Sequence, residues 1–218
     1  MTKKENVGKK KRKHGKTGMK GLSQHKAHAP MSRFATERVN RRIGKLVSGR
    51  EFESMDELND FIQQALEKEN REGAPEFPDD PAEAAQELAY RSMEERSDQK
   101  ALELALKALE IDPDCIDART VVIQITIHDP NEQIEAYRKL LAEARNKMGK
   151  GFFEENRGHF WGVVETRPFM RALESLAILL LSQERIGESI AVMEEMIDLN
   201  PNDNQGIRDA LLGLYLGE

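Results

Sequence analysis

Cysteine occurs once, at position 115, so no disulfide can form within the chain. Aromatic residues are 6% of the 218, with Trp161 the sole tryptophan, while 33% are charged; this balance favours helices with one buried stripe and wet outer faces. Long apolar runs are also missing. A membrane span needs roughly 20 apolar residues, and the longest run, LAILLL at 176–181, falls far short. The basic start MTKKENVGKKKRKHGK is followed by no apolar h-region, so it does not read as a secretory signal. A soluble, reducing, cytoplasmic setting is expected. No Gly-rich phosphate cradle ending in Gly-Lys-Ser/Thr occurs; GKTG at 15–18 lacks both the preceding strand and the spacing of a P-loop.

Acidic residues are scarce at one end only. Residues 1–50 carry 16 Lys/Arg against Glu5 and Glu37, a balance of +14, and the other 168 carry 17 basic and 37 acidic side chains, a balance of −20. The chain therefore reads as a basic arm on an acidic body. Residues 1–32 are Lys, Gly, His and Ser with almost no apolar content, so ordering them would cost backbone entropy that no buried surface offsets; a disordered tail is expected. From 33 to 72 the pattern turns helical. Phe34, Val39, Ile43, Leu46 and Val47 recur at helical intervals before Gly49, and Ser54-Met-Asp-Glu57 has capping-box spacing ahead of Leu58, Phe61, Ile62, Ala65 and Leu66. Prolines 75, 78 and 81 in NREGAPEFPDDP (70–81) forbid helix and predict a linker at 73–80.

Internal repetition dominates the region 81–218. QKALELALKALEIDPDCIDA (99–118) and GESIAVMEEMIDLNPNDNQG (187–206) both run as an amphipathic helix, then Ile/Leu, Asp/Asn, Pro and a polar helix opening. Both resemble the second half of a tetratricopeptide repeat, a 34-residue helical hairpin with proline at the unit's end. Setting Pro113 and Pro201 at that position places Ala101, Ala105, Ala108 and Leu109, and Ser189, Met193, Met196 and Ile197, on the packing face of second helices. Ala85, Leu88 and Ala89, and Leu173, Leu176 and Ala177, fall on the first helices, with Ser92 where an aromatic is common. The resemblance implies an all-α fold of about three helical hairpins and a C-terminal capping helix. Pro113 and Pro201 stand 88 residues apart, whereas two units span 68, so about 20 residues are surplus. Residues 115–129 and 131–149 make a helix pair joined at Pro130, which puts the insertion at about 149–168. The segments Gly158-His-Phe-Trp-Gly162, Glu165-Thr-Arg-Pro168 and Asn200–Gly206 further resemble a group of mainly bacterial repeat proteins associated with the suppressor-of-tumorigenicity family; REFESMDELNDFIQQ (50–64) shares the likeness loosely. No reaction comes with that resemblance.

Three functional readings follow. In tetratricopeptide proteins the first helices line a concave groove that holds a peptide or partner helix. Carried onto this register, the groove positions are Glu83, Gln86, Tyr90, Asp117, Thr120, Gln124, Arg171, Glu174 and Ile178. They are polar with an acidic bias and lack the lysine and asparagine clamp for a C-terminal carboxylate, so the expected partner is a basic or amphipathic protein segment and the chain is expected to be a non-catalytic scaffold. The alternative is contact with nucleic acid or the ribosome through the basic arm, residues 3–50, non-specific and salt-sensitive because aromatics for base stacking are few. In a nucleated cell KKKRKHGK would also serve for nuclear import. A third option is internal: the +14 arm folds back onto the −20 body and screens it until a partner competes.

The insertion holds residue types suited to chemistry, His159, Trp161, Glu165 and Arg167, which make a second candidate binding element. No nucleophile accompanies them. Its aromatics, Phe152, Phe153, Phe160, Trp161 and Phe169, fit better as a wedge pinned to the repeats, and Trp161 is expected to be buried. Pro168 suits a first helical turn, Glu165 its positive end, and Arg167 a neighbouring carboxylate. His14, His25 and His28 have no cysteine or carboxylate to complete a metal shell, so no metal or cofactor is expected. Cys115, in DPDCID, reads as a packing thiol. The apolar face of IRDALLGLYLGE at the C-terminus suggests a dimer contact.

Overall fold

Proline and short polar side chains set the helix starts. In the computed structural model, which describes residues 34–72 and 80–217, Asp80 caps α3 (Pro81–Glu94) by accepting from the Glu83 N–H at 3.1 Å. Asp129 likewise caps α6 (Pro130–Met148), accepting from Asn131 and Glu132. In both, proline occupies the first turn, where its missing N–H has no partner to lose. The expected box at Ser54 also forms: Ser54 Oγ accepts from Glu57 N–H at 3.1 Å, and the Glu57 carboxylate reaches back to Glu53 N–H at 2.7 Å. It opens α2 (Met55–Glu72), which runs past residue 70, where the proline-rich stretch begins. α1 (Ala35–Val47) stops before Ser48 and a Gly49 at φ +69°, a left-handed conformation that suits glycine. The expected disordered tail, His14, His25, His28 and most of the linker lie outside the described residues.

The described residues are all helical, with no strand among them. Three antiparallel hairpins follow the two N-terminal helices: α3 with α4 (Asp98–Ile111), α5 (Ile116–Thr126) with α6, and α8 (Arg167–Ser182) with α9 (Ile186–Leu199). α10 (Ile207–Leu216) packs on α9. The first helices α3, α5 and α8 lie side by side and form one face; the second helices form the other. Small residues allow this approach. Ala85, Ala89, Ala105, Ala108, Ala118, Ala172 and Ala177 are fully buried between helices, and large apolar side chains, Leu88, Leu140, Met170, Leu173, Leu180 and Met196, fill the space left. Ser92, at the position where a ring is common in the repeat, instead donates to Ala101 O at 2.6 Å, and Ser189 donates to Ala177 O at 2.8 Å. Each satisfies a buried hydroxyl while letting two helices meet closely.

Between α6 and α8 the hairpin pattern is interrupted. α7 (Lys150–Asn156) leads through an irregular stretch to a 3₁₀ turn, Val164–Thr166, and into α8. Phe160 is fully buried, its ring 4.8 Å from Phe153 and 6.2 Å from Phe169, and its N–H donates to Leu199 O at 3.1 Å. Thr166, also fully buried, donates its hydroxyl to Phe160 O and Val163 O. Trp161, by contrast, is half-buried. The expectation that it is buried is corrected: it packs against the core cluster that holds Phe160 but also lines a cavity on the first-helix face, which leaves part of the ring open. None of the described α2 side chains is fully buried, and α2 packs against α1.

Candidate protein-binding groove

The groove is built from one face of α3, α5 and α8, and all nine residues assigned to it by register lie on these helices. They split into two groups. Glu83, Gln86, Tyr90, Asp117 and Arg171 are already engaged: α1 of the same chain meets Glu83, Tyr90 and Arg171, while Gln86 and Asp117 pair with each other and with Arg171 behind them.

The seam starts at Asp117, whose side chain is 1% exposed. Gln86 Nε2–H donates to it at 2.6 Å, and Arg171 donates from Nε at 3.0 Å and Nη2 at 2.5 Å. Arg171 turns its remaining Nη1–H to Glu37 of α1, 2.7 Å away. Glu37 is buried as well, accepts from the Tyr90 hydroxyl at 2.8 Å and lies 3.8 Å from Arg167. Burial opposes the Arg171 charge, but Asp117 and Glu37 outweigh it and hold the guanidinium above its ordinary range. Burial likewise raises the Tyr90 phenol well above its usual value, so it remains a neutral donor to Glu37. Phe34, just before α1, stacks on Tyr90 at 4.7 Å between centroids.

Charge pairs extend this contact along α1. Arg38 donates to Glu87 at 2.8 Å and to Glu94 at 3.2 Å; Lys45 meets Glu83 at 2.6 Å. Arg41 donates to the Tyr90 oxygen at 3.1 Å and stands 4.0 Å from Glu165. Phe34, Glu37, Arg38, Arg41 and Lys45 form one face of the helix. Of the apolar set whose spacing read as a helix, Phe34 is buried on this face, Val39 is exposed, and Ile43, Leu46 and Val47 are half-buried. The body meets α1 chiefly through carboxylates, and α2 packs on α1 as well. Apolar periodicity cannot register such a seam. A signal was nevertheless present, in bases at 38, 41 and 45 against acids at 83, 87 and 94, each set at helical spacing.

The second group, Thr120, Gln124, Glu174 and Ile178, lines a cavity of about 920 Å³ bounded by Phe34, Val121, Trp161 and Gln205. Ile178 is 58% exposed. Glu174 accepts from Gln205 Nε2–H at 2.6 Å. The hydroxyl of Thr120 and the amide oxygen of Gln205 are buried without a hydrogen-bond partner among the described residues. Glu95 and Asp98 line it as well, so the lining mixes carboxylates with apolar side chains such as Val121, Trp161 and Ile178.

The second candidate element divides in the same way. Arg167 donates to Trp161 O at 2.9 Å and lies over its ring at 5.4 Å, so these two form a unit beside the cavity. Glu165 is exposed, and His159 is exposed with its carbonyl accepting from Gly162 at 2.8 Å. Among the described residues no hydrogen bond or ion pair joins His159 to Glu165. Cys115 is buried with Sγ 3.9 Å from Gln86 Oε1, and desolvation, reinforced by Asp117 and Asp112, pushes its thiol up to about 12. Among the described residues no helix is long and apolar enough to cross a membrane. No protein-family model, curated protein or solved structure matches the chain.

Proposed function

We propose that the protein is a non-catalytic interaction scaffold whose concave groove holds a basic or amphipathic segment of another protein. The observation that carries this reading is the open half of the groove. An exposed Ile178 and a half-buried Trp161 give apolar contact, and Glu174, Glu95 and Asp98 give negative charge in the same cavity. The tetratricopeptide-like pattern of the helices supports the same face. Contact with nucleic acid through the arm is less favoured, because Arg38, Arg41 and Lys45 already have partners on the body.

Parallel co-purifications test the reading. Proteins retained by the full chain are expected to be lost with Ile178→Glu or Glu174→Lys, both at partly exposed positions where folding is little affected. Retention unchanged by both substitutions would overturn the groove assignment.

A further inference from the structure

The half of the groove already filled carries a more specific statement, one that rests on the scaffold reading. We propose that α1 is an internal stand-in for the partner: the groove recognises a helix bearing an aromatic residue, an acid three positions on, and bases at four, seven and eleven, and such a helix from another protein binds by displacing α1.

The groove is complementary to that pattern, residue by residue. Tyr90 supplies a face for the ring. Arg171, Arg167 and the Tyr90 hydroxyl converge on one carboxylate. Glu87 and Glu94 take Arg38 and Glu83 takes Lys45 along one side of α3, while Arg41 meets the Tyr90 oxygen, Val164 O and Glu165. Every element of this set except the stacked ring is a charge or a hydrogen bond, so the contact weakens with salt and a charged competitor can substitute for it.

The structure also makes release of α1 inexpensive for the body. Asp117, the most deeply buried carboxylate, keeps three hydrogen bonds from Arg171 and Gln86 when Glu37 leaves, so no isolated charge is left inside the repeats. α2 adds no fully buried side chain among its described residues, hence α1 is held by its own contacts. What the departure uncovers is a pair of arginines that have lost their carboxylate and an unstacked Tyr90. These groups are satisfied only when a carboxylate and a ring return. In the intact chain α1 is covalently linked to its site and competes at high effective concentration, which sets the affinity an outside helix must exceed.

The test uses a fluorescently labelled peptide spanning residues 32–49 and the full chain. Wild-type protein is expected to bind it weakly. The full-length double variant Phe34→Ala/Glu37→Gln, whose own α1 is loosened, is expected to bind it at least tenfold more tightly, with most of that affinity lost when the peptide itself carries Glu37→Gln and when salt is raised from 0.05 to 0.5 M. Lys45→Glu, at an exposed position near the end of α1, gives a second loosened protein that depends on no core change and is expected to shift affinity in the same direction. Equal affinity of wild-type and both loosened proteins, or a peptide that binds as well with Glu37→Gln, would overturn the proposal. If the loosened proteins fail to bind the peptide yet retain cell proteins in a manner lost on Ile178→Glu, the stand-in role fails and the scaffold reading stands. Peptide binding without any groove-dependent retention has the opposite meaning: the groove takes an α1-like helix, and the scaffold reading of its open half fails.

Discussion

Along α3 the first-helix face holds a helix through carboxylates, arginines and one stacked pair of rings; between α5 and α8 the same face is open and lined by both carboxylates and apolar side chains. The difference lies in which side chains the first helices present. α3 offers Glu83, Glu87, Tyr90 and Glu94, spaced to meet a basic helix, while α8 offers Glu174 and Ile178 beyond Arg171. One face thus carries a charge-matched surface covered by a helix of the same chain and, beside it, a mixed surface left open.

Substitutions should separate the two halves. The largest effect is expected from Asp117→Ala at the junction: Arg171 would keep only Glu37 and the Gln86 amide would lose its acceptor, and urea denaturation should show a loss of about 3–5 kcal/mol; a loss below about 1 kcal/mol would mean that water already reaches the seam. Phe34→Ala removes a buried ring worth about 1.5–3 kcal/mol. Its effect should fall on α1 rather than on the repeats, seen as faster tryptic cleavage within residues 38–45 with the main thermal transition retained. Ile178→Ala, at a 58% exposed position in the open half, should change stability by less than about 0.5 kcal/mol while reducing whatever binding the groove supports. A matching loss of stability would show that Ile178 is a packing residue.

Two ion pairs away from both halves carry a pH dependence. Asp114 is held below the ordinary carboxylate range by its hydrogen bond and charge contact with Lys147, and Glu188 by its hydrogen bond with Arg185, both outside the groove. A depressed folded-state pKa means that the unfolded chain takes up the proton first. Their contribution is therefore present above the unfolded value and lost as pH falls below about 4.5. Both pairs are exposed, so the expected decline in melting temperature is shallow, and Lys147→Gln should flatten it further.

Where apolar burial drives the packing, the sequence was a faithful guide. Ala85, Ala89, Ala105, Ala108 and Ala177 fell on the faces where helices touch, and prolines stand at helix starts, because these features reflect the period of 3.6 residues that packing imposes. Trp161 and Phe160 show the first limit. Of two adjacent rings in an irregular segment one is fully buried and the other half-open, a difference that no periodicity encodes. α1 shows the second. Its apolar residues repeat as a core helix's would, yet its charged face meets the body, and long-range charge pairing between residues 38 and 94 leaves only a faint spacing signal in the chain. Of the nine groove positions, register identified the helices correctly but could not tell which five were already engaged.

If α1 occupies the groove through charge, independently of the apolar stack that holds the repeats, salt should release it alone. Amide hydrogen exchange across residues 35–47 and 167–199, followed from 0.05 to 1 M salt, tests this most directly. Protection of α1 is expected to fall steeply with salt while that of α8 and α9 stays constant. Protection of α1 that is independent of salt, or that is lost only together with α8 and α9, would contradict a charge-held helix.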